Sequence, residues 1–258
     1  MAYDEKIAPI IADLGFEWII LDEIACGGDI EKVDYTKIYK VQGINLKVFF
    51  RERRLSNLIM SAVVRSQESL LEAMKEDFPP KADPPLAEKS SRYLVTAMDG
   101  ETFGHHRPGL VEMLFDVLAA PDFKLICVSD LSLYYHDVVE VMPVKSTWAS
   151  SKQDIENNIQ FLSWSDPENA IHKWQWDFTN LVLGEVYAMD KNHPRYELVR
   201  KKMDVALSSD QFFWASAKPW WSIEMIEAGA FNLLDTIRHV PDVASEKFGR
   251  ARDYYEKI

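Results

Sequence analysis

Short apolar runs that halt at polar or charged residues constrain this chain most. Phe16 to Leu21 is one such run and stops at Asp22-Glu23. Ile44 to Phe50 stops at Arg51-Glu52-Arg53, Tyr93 to Ala97 runs into Met98-Asp99, and Lys124 to Val128 is closed by Ser129-Asp130. Runs this short, apolar and partly β-branched or aromatic, predict buried strands. Helical patterns alternate with them. Ile7, Ile10, Ile11 and Leu14 recur at helical spacing over Asp4 to Leu14, and Gly15 ends the pattern. A loop with Gly27-Gly28 follows the first run. Leu55 to Met74 reads as helix with a break near Ser66, Phe78 to Pro85 as a Pro/Asp linker, and Leu110 to Leu118 as a further helix. Such β–α alternation with short crossovers predicts an α/β fold class with a parallel sheet. Asp22, Arg51, Asp99 and Asp130 stand just beyond the four runs and outline one face of a barrel-like sheet. Helix capping accounts for some of them, and Asp130 is placed to cap the short helix after it.

After about Thr147 the pattern changes. Pro167 to Met189, Pro194 to Leu207 and Pro219 to Val240 read as helices, each opening near a proline that suits a first turn. Asp242 to Lys257 reads as the last helix. The expected organisation is an α/β part over 1–146 and an all-helical part over 147–258. The formal net charge is -12 without a long Lys/Arg run, which argues against nucleic acid or an anionic membrane surface as partner. Neutral or cationic ligands fit better. There is no apolar stretch of spanning length and no signal-peptide pattern at Met1, so the expected location is the cytoplasm. Cys26 and Cys127 lie near apolar runs and read as buried free thiols, with no disulfide framework and no zinc-ligand spacing.

Met98-Asp99-Gly100-Glu101-Thr102-Phe103-Gly104-His105-His106 is the stretch richest in chemistry. In α/β architectures the C-terminal end of a strand is where reacting groups are placed. Asp99 there reads either as a general acid, raised in pKa by partial burial, or as a helix-capping loop carboxylate. Glu101, two residues on, reads as a supporting group behind it. Adjacent His105 and His106 cannot both face one metal from a regular element, so hydrogen bonds to a polar ligand or to loop backbone suit them better. In a complete enzyme one of Asp22 and Glu23 is the obvious partner carboxylate for Asp99; the simpler reading is loop solvation plus capping. Arg51 and Arg53 flank Glu52 and read as rim arginines for substrate or as a surface ion pair. Ser208 to Ser222 gathers Phe212, Phe213, Trp214, Trp220 and Trp221 around Asp210 and several serines. Rings stack on pyranose faces while Asp and Ser take hydroxyls, so this segment reads as a wall of a sugar site rather than mere packing.

Asp99-Gly100-Glu101-Thr102-Phe103-Gly104-His105 resembles the Asp-x-Glu-x-Phe-Gly motif of glycoside hydrolase family 57, which holds α-amylase-like enzymes, 4-α-glucanotransferases and glucan branching enzymes. Ser209-Asp210 through Trp221 is similar to the aromatic motif of the family's helical region. Met1 through Asp22-Glu23 looks like the stretch that follows its nucleophile motif. The resemblance implies a partial (β/α)7-type barrel followed by an all-helical region, and retaining chemistry on α-glucans with neither metal nor organic cofactor. It implies that Asp99 is the general acid/base. Glu101, His105, His106, Asp22, Arg51, Asp210, Trp214, Trp220 and Trp221 are the candidate residues for binding an oligo- or polysaccharide. The His-Gln motif of the family's first strand is absent here, and the nucleophilic glutamate would fall immediately before Met1. The chain accordingly reads as a C-terminal fragment, or as one with a misassigned start codon, feeble or inactive alone and open to self-association through exposed barrel edges. Other readings are a non-catalytic carbohydrate-binding protein that keeps the aromatic wall and a metal-dependent polysaccharide deacetylase. The latter needs an Asp and two spaced histidines. An in-frame extension ending in Pro-Glu directly before Met1 is the expected observation upstream of the start codon.

Overall fold

The computed structural model describes residues 1–77, 92–121, 123–218 and 220–258, and the chain divides into two units, Met1–Gln160 and Phe161–Ile258. The predicted linker at Phe78 to Pro85 lies outside the described residues, as does Pro219. The first unit opens with β1 (Ala2–Tyr3), α1 (Ile7–Asp13), β2 (Trp18–Asp22), β3 (Ile38–Val41) and β4 (Lys47–Arg51). It continues with α2 (Arg53–Met60), α3 (Gln67–Asp77), α4 (Leu110–Ala119), α5 (Leu131–Tyr134), β5 (Val138–Val141), β6 (Ser146–Thr147) and α6 (Lys152–Glu156).

Two of the predicted strands pair as expected. β2 and β4 run parallel from Trp18 opposite Lys47 to Asp22 opposite Arg51, so Asp22 and Arg51 finish side by side. The purely parallel sheet is corrected. The order is β2-β4-β3-β5, with β3 antiparallel to β4 and parallel to β5, while β1 and β6 pair separately. Only residues 42–46 join β3 to β4. A link that short folds straight back, which permits only antiparallel pairing, and Gly43 takes the left-handed turn at φ 71°. The other two predicted strands do not form. Residues 92–99 join no ladder, and residues 123–127 are irregular before a 3-10 turn at Val128–Asp130. Leu125 and Ile126 are 54% and 37% exposed. An apolar run becomes a buried strand only where a sheet edge receives it.

Several local expectations change as well. Asp130 stands at the N-cap of α5 but its side chain makes no capping bond. In α1 the apolar stripe is split: Ile10 and Leu14 are 58% and 70% exposed, while Ala8 is buried and Ile11 packs against an apolar cluster. Cys127 is exposed, not buried, and both thiols are free. Val48, Phe49 and Phe50 of β4 are fully enclosed between two apolar clusters. A third cluster joins Leu55 and Ile59 of α2 to Leu70 of α3 and Leu110 and Met113 of α4.

The second unit is helical: α7 (Ala170–Tyr187), α8 (Tyr196–Ala206), α9 (Asp210–Ala215), α10 (Ile223–His239) and α11 (Ser245–Lys257). Phe178, Val182 and Val186 recur every four residues along α7 and meet Val199 and Met203 of α8, Leu233 and Ile237 of α10 and Ala251 of α11. Pro167 and Pro194 precede their helices rather than filling the first turn, and Asn169 and Ser222 supply side-chain caps to α7 and α10. The short α9 was not expected. It lies against α10 at Gly229, where an added Cβ would come within 2.6 Å of Gln211 Cδ and Oε1. Gln211 is 3% exposed and cannot swing away into solvent. Gly229→Ala is therefore expected to destabilise the protein by about 3 kcal/mol, the upper end of ordinary overpacking, and to lower the urea midpoint. A midpoint unchanged from the parent chain would show that α9 yields at this contact.

Candidate active site

The sheet end carries a buried charge network. Arg51 is 1% exposed and Asp22 3%. Arg51 Nη1 donates to Asp22 Oδ2 at 2.6 Å, its Nη2 to Asn57 Oδ1 at 2.7 Å, and its Nε to the Ala97 carbonyl at 2.6 Å. Arg53 reaches the other oxygen of Asp22 through Nε at 2.8 Å and Nη2 at 2.7 Å, and its Nη1 donates to Ser150 O at 2.7 Å. Two guanidinium forks on one carboxylate leave little of it for an outside ligand. Asp22 also accepts the Ile24 N–H at 3.2 Å and so caps the 3-10 turn at Glu23–Ala25. Glu52 caps α2, accepting from the N–H groups of Arg54 and Leu55 at 3.1 and 2.5 Å. The neighbouring Glu23 accepts the Arg53 N–H at 3.1 Å and lies 3.5 Å from the Tyr35 hydroxyl. Burial pushes the Glu23 carboxyl above the ordinary carboxylate range, against the pull of the Arg53 N–H.

The 98–106 motif stands next to this network as an anchored loop. Met98 and Phe103 pack against the apolar cluster of α2, α3 and α4, and Thr102 is 2% exposed. Between them Asp99 and Glu101 point outward and are exposed. Asp99 occupies the N-cap position of a 3-10 turn at Gly100–Thr102, yet its carboxylate makes no capping bond. Of the two sequence readings, capping is thus not where its oxygens are engaged. Gly104 has φ 109°, a backbone state closed to most side chains, which explains the glycine of the motif. His106 N donates to Glu101 O at 2.8 Å and closes the loop. His105 and His106 are exposed, with ring centroids 4.9 Å apart in edge contact. Among the described residues no group of three or more His, Cys, Asp or Glu side chains is placed to hold a metal ion.

The Met1 amine lies within electrostatic reach of the same groups. Burial and the Arg51 charge hold it below its ordinary value, while Asp99 and Asp22 draw it upward. So the structure gathers Asp22, Arg51, Asp99 and the backbone of Met1 at one end of the sheet. Asn57 and Ser56 belong there too, although the sequence reading passed over them. Their signal is their place on the first turns of a helix that starts directly after the Arg51-Glu52 strand end.

Asp210, Trp214, Trp220 and Trp221 belong to the second unit. Asp210 Oδ2 accepts from Ser208 Oγ at 2.5 Å. Trp214 meets Trp220 edge-on at 6.2 Å and Phe213 at 5.9 Å, and Phe213 meets Trp164 at 5.7 Å. Trp220 and Trp221 are 55% and 48% exposed, an unusual state for indoles with no outside contact. Trp176 stacks on Phe212 at 4.4 Å and donates its Nε1–H to Trp164 O at 2.8 Å.

His172 holds α9 to α7. Its Nδ1 accepts the Asp166 N–H at 3.0 Å, which leaves Nε2 as the protonated nitrogen donating to Phe212 O at 2.8 Å. Burial holds this imidazole below its ordinary value of 6.5, and a second proton would also face the Asp166 N–H. A histidine depressed on folding contributes stability above 6.5 and loses it as pH falls below that value. Asp166 is depressed by Lys218, 2.6 Å away, and its contribution is lost only at lower pH, below 3.8. The expected outcome is a urea midpoint, read by far-UV circular dichroism, that falls on acidification from about pH 6.5. In His172→Gln that fall is absent. A flat midpoint between about pH 7.5 and pH 5 would contradict the assignment.

The sequence model of Glycosyl hydrolase family 57 matches residues 1–129, which is half of the chain and includes Asp22, Arg51, Asp99 and the whole 98–106 motif. The aromatic segment lies beyond the match. No curated protein matches the chain.

Proposed function

Because the chain belongs to glycosyl hydrolase family 57, we propose that it serves cleavage or transfer of α-glucosidic bonds with Asp99 as proton donor. Glycoside hydrolase chemistry at the family level is what the match carries. The retaining mechanism and the α-glucan substrate are this proposal. The single observation behind it is the Asp99 carboxylate, exposed and free of capping, on a loop pinned by Met98 and Phe103 on either side. β2 and β4 are read as two neighbouring strands of a (β/α)7-type barrel, with residues 1–146 as the barrel part and 147–258 as the helical part.

Retention needs two carboxyl groups about 5 to 5.5 Å apart. One attacks C1 while the glycosidic C1–O bond breaks and the proton of Asp99 passes to the leaving oxygen. Water or a sugar hydroxyl then gives its proton to Asp99, and its oxygen displaces the carboxylate from C1. In the family's pattern the attacking glutamate stands directly ahead of the Met1 position. Asp22 and Glu23 are poor substitutes, since both are buried and bonded to arginine groups. Glu101, His105 and His106 are exposed beside Asp99 and suit hydroxyl contacts. Asp22 and Arg51 act from behind. Trp214, Trp220 and Trp221, with Asp210, are proposed to bind sugar, and their exposure also favours a second reading in which this chain binds glucan without turnover.

Azide tests the proposal, because it can take the part of an attacking carboxylate. Attack of azide on α-maltosyl fluoride breaks the C1–F bond, releases fluoride and yields β-maltosyl azide. Added azide is expected to raise fluoride release from α-maltosyl fluoride at least about tenfold. Asp99→Asn is expected to abolish azide-supported cleavage of phenyl α-maltoside, whose leaving oxygen needs the proton. Malto-oligosaccharide binding by calorimetry, unaffected by Asp99→Asn and with no azide-supported turnover, would favour the binding-protein reading instead.

A further inference from the structure

A strand inside a sheet is fixed by its ladder, and the segment bearing Asp99 has none. Its backbone is tied by other means. Tyr93 N donates to Tyr35 O at 3.1 Å, and Val95 O accepts from Glu52 N at 2.8 Å. At Ala97, two residues before Asp99, both backbone groups go to side chains. The carbonyl accepts from Arg51 Nε at 2.6 Å and the N–H donates to Ser56 Oγ at 3.2 Å. Both side chains are themselves fixed. Arg51 is locked by Asp22 and Asn57, and Ser56, fully buried, donates its hydroxyl proton to Glu52 O at 2.6 Å.

We propose that Arg51 and Ser56 are positioning residues for Asp99: together they clamp the backbone of Ala97, and the clamp sets where the Asp99 carboxyl stands. The inference rests on the reading of Asp99 as proton donor. Arg51 fills this role through geometry. Its fork serves three acceptors in three directions at 2.6 to 2.7 Å, which a lysine ammonium cannot reproduce in that arrangement. Asp22 then has a task at this end of the sheet without touching sugar. It neutralises the buried guanidinium and holds Nη1, which aims Nε at Ala97. Ser56 completes the clamp from the first turns of α2, so strand end and following helix grip the same residue. Proton transfer is sensitive to such placement, since a donor misplaced by about 1 Å can cost on the order of a hundredfold in rate.

Azide-supported turnover of two substrates by the full chain tests the clamp. Phenyl α-maltoside departs only with a proton, while α-maltosyl fluoride needs little acid assistance. In Arg51→Lys and in Ser56→Ala the ratio of the two rates, phenyl maltoside over fluoride, is expected to fall about tenfold or more, in the direction of Asp99→Asn. Ser56→Thr, which keeps the hydroxyl, is expected to restore the ratio. Ser56→Ala removes a single oxygen and carries the test if Arg51→Lys does not fold. An unaltered ratio in Ser56→Ala, whether both rates hold or both fall together, overturns the clamp and leaves a purely structural role. A parent chain silent on both substrates in azide overturns the proton-donor reading itself, and the inference with it.

Discussion

The Arg51 guanidinium is the interaction on which the first unit turns. It is a full charge at 1% exposure, a state that is tolerable only because Asp22 lies 2.6 Å away and two further acceptors take its remaining directions. Breaking such a pair from one side typically costs about 3 to 5 kcal/mol. The cost explains why the network is built from so many elements at once. β2 gives Asp22, β4 gives Arg51, α2 gives Asn57, and the unladdered segment gives Ala97 O. Arg53 adds the Ser150 carbonyl from near the end of the unit. Polar connectivity thus replaces part of the sheet that ladder bonds would otherwise have made.

That replacement also marks the limit of what could be read in the residues. β2 and β4 were legible because each closes an unbroken apolar stretch, Trp18 to Leu21 and Val48 to Phe50, on a charged residue. Tyr93 to Ala97 has the same look, yet no neighbouring backbone meets it in register, and pairing is a property of two segments rather than one. Ile38 to Val41 was missed for the converse reason. Its Tyr39-Lys40 step breaks the apolar run, and the turn that aligns it with β4 includes Ile44, which looked like strand. The four long helices of the second unit, α7, α8, α10 and α11, were legible from the pattern of their residues, since a helix satisfies its own backbone. Their starts were less so, because capping by Asn169 and Ser222, not proline, fixes them.

At the candidate site, residue identity was legible and role was not. Asp22 and Arg51 were placed correctly at a strand end, but sequence cannot say whether a charge at such an end turns outward or pairs inward. Here it pairs inward. Asp99 has the opposite fate. Met98 and Phe103 carry the apolar burial of the motif, and the carboxylate between them stays outside. The alternation of anchor and exposed acid, with Gly104 closing the turn at φ 109°, is what the motif encodes physically.

The distribution of indoles has its own consequence. Six of the eight tryptophans, Trp164, Trp174, Trp176, Trp214, Trp220 and Trp221, lie in the helical unit. Several of these share ring contacts, Trp214 with Trp220 and Trp164 with Phe213. Intrinsic emission from this protein is therefore weighted heavily toward one half of the chain. A denaturation curve followed by tryptophan fluorescence reports chiefly the melting of helices, whereas loss of the arginine-bound sheet end has to be watched by a probe placed there.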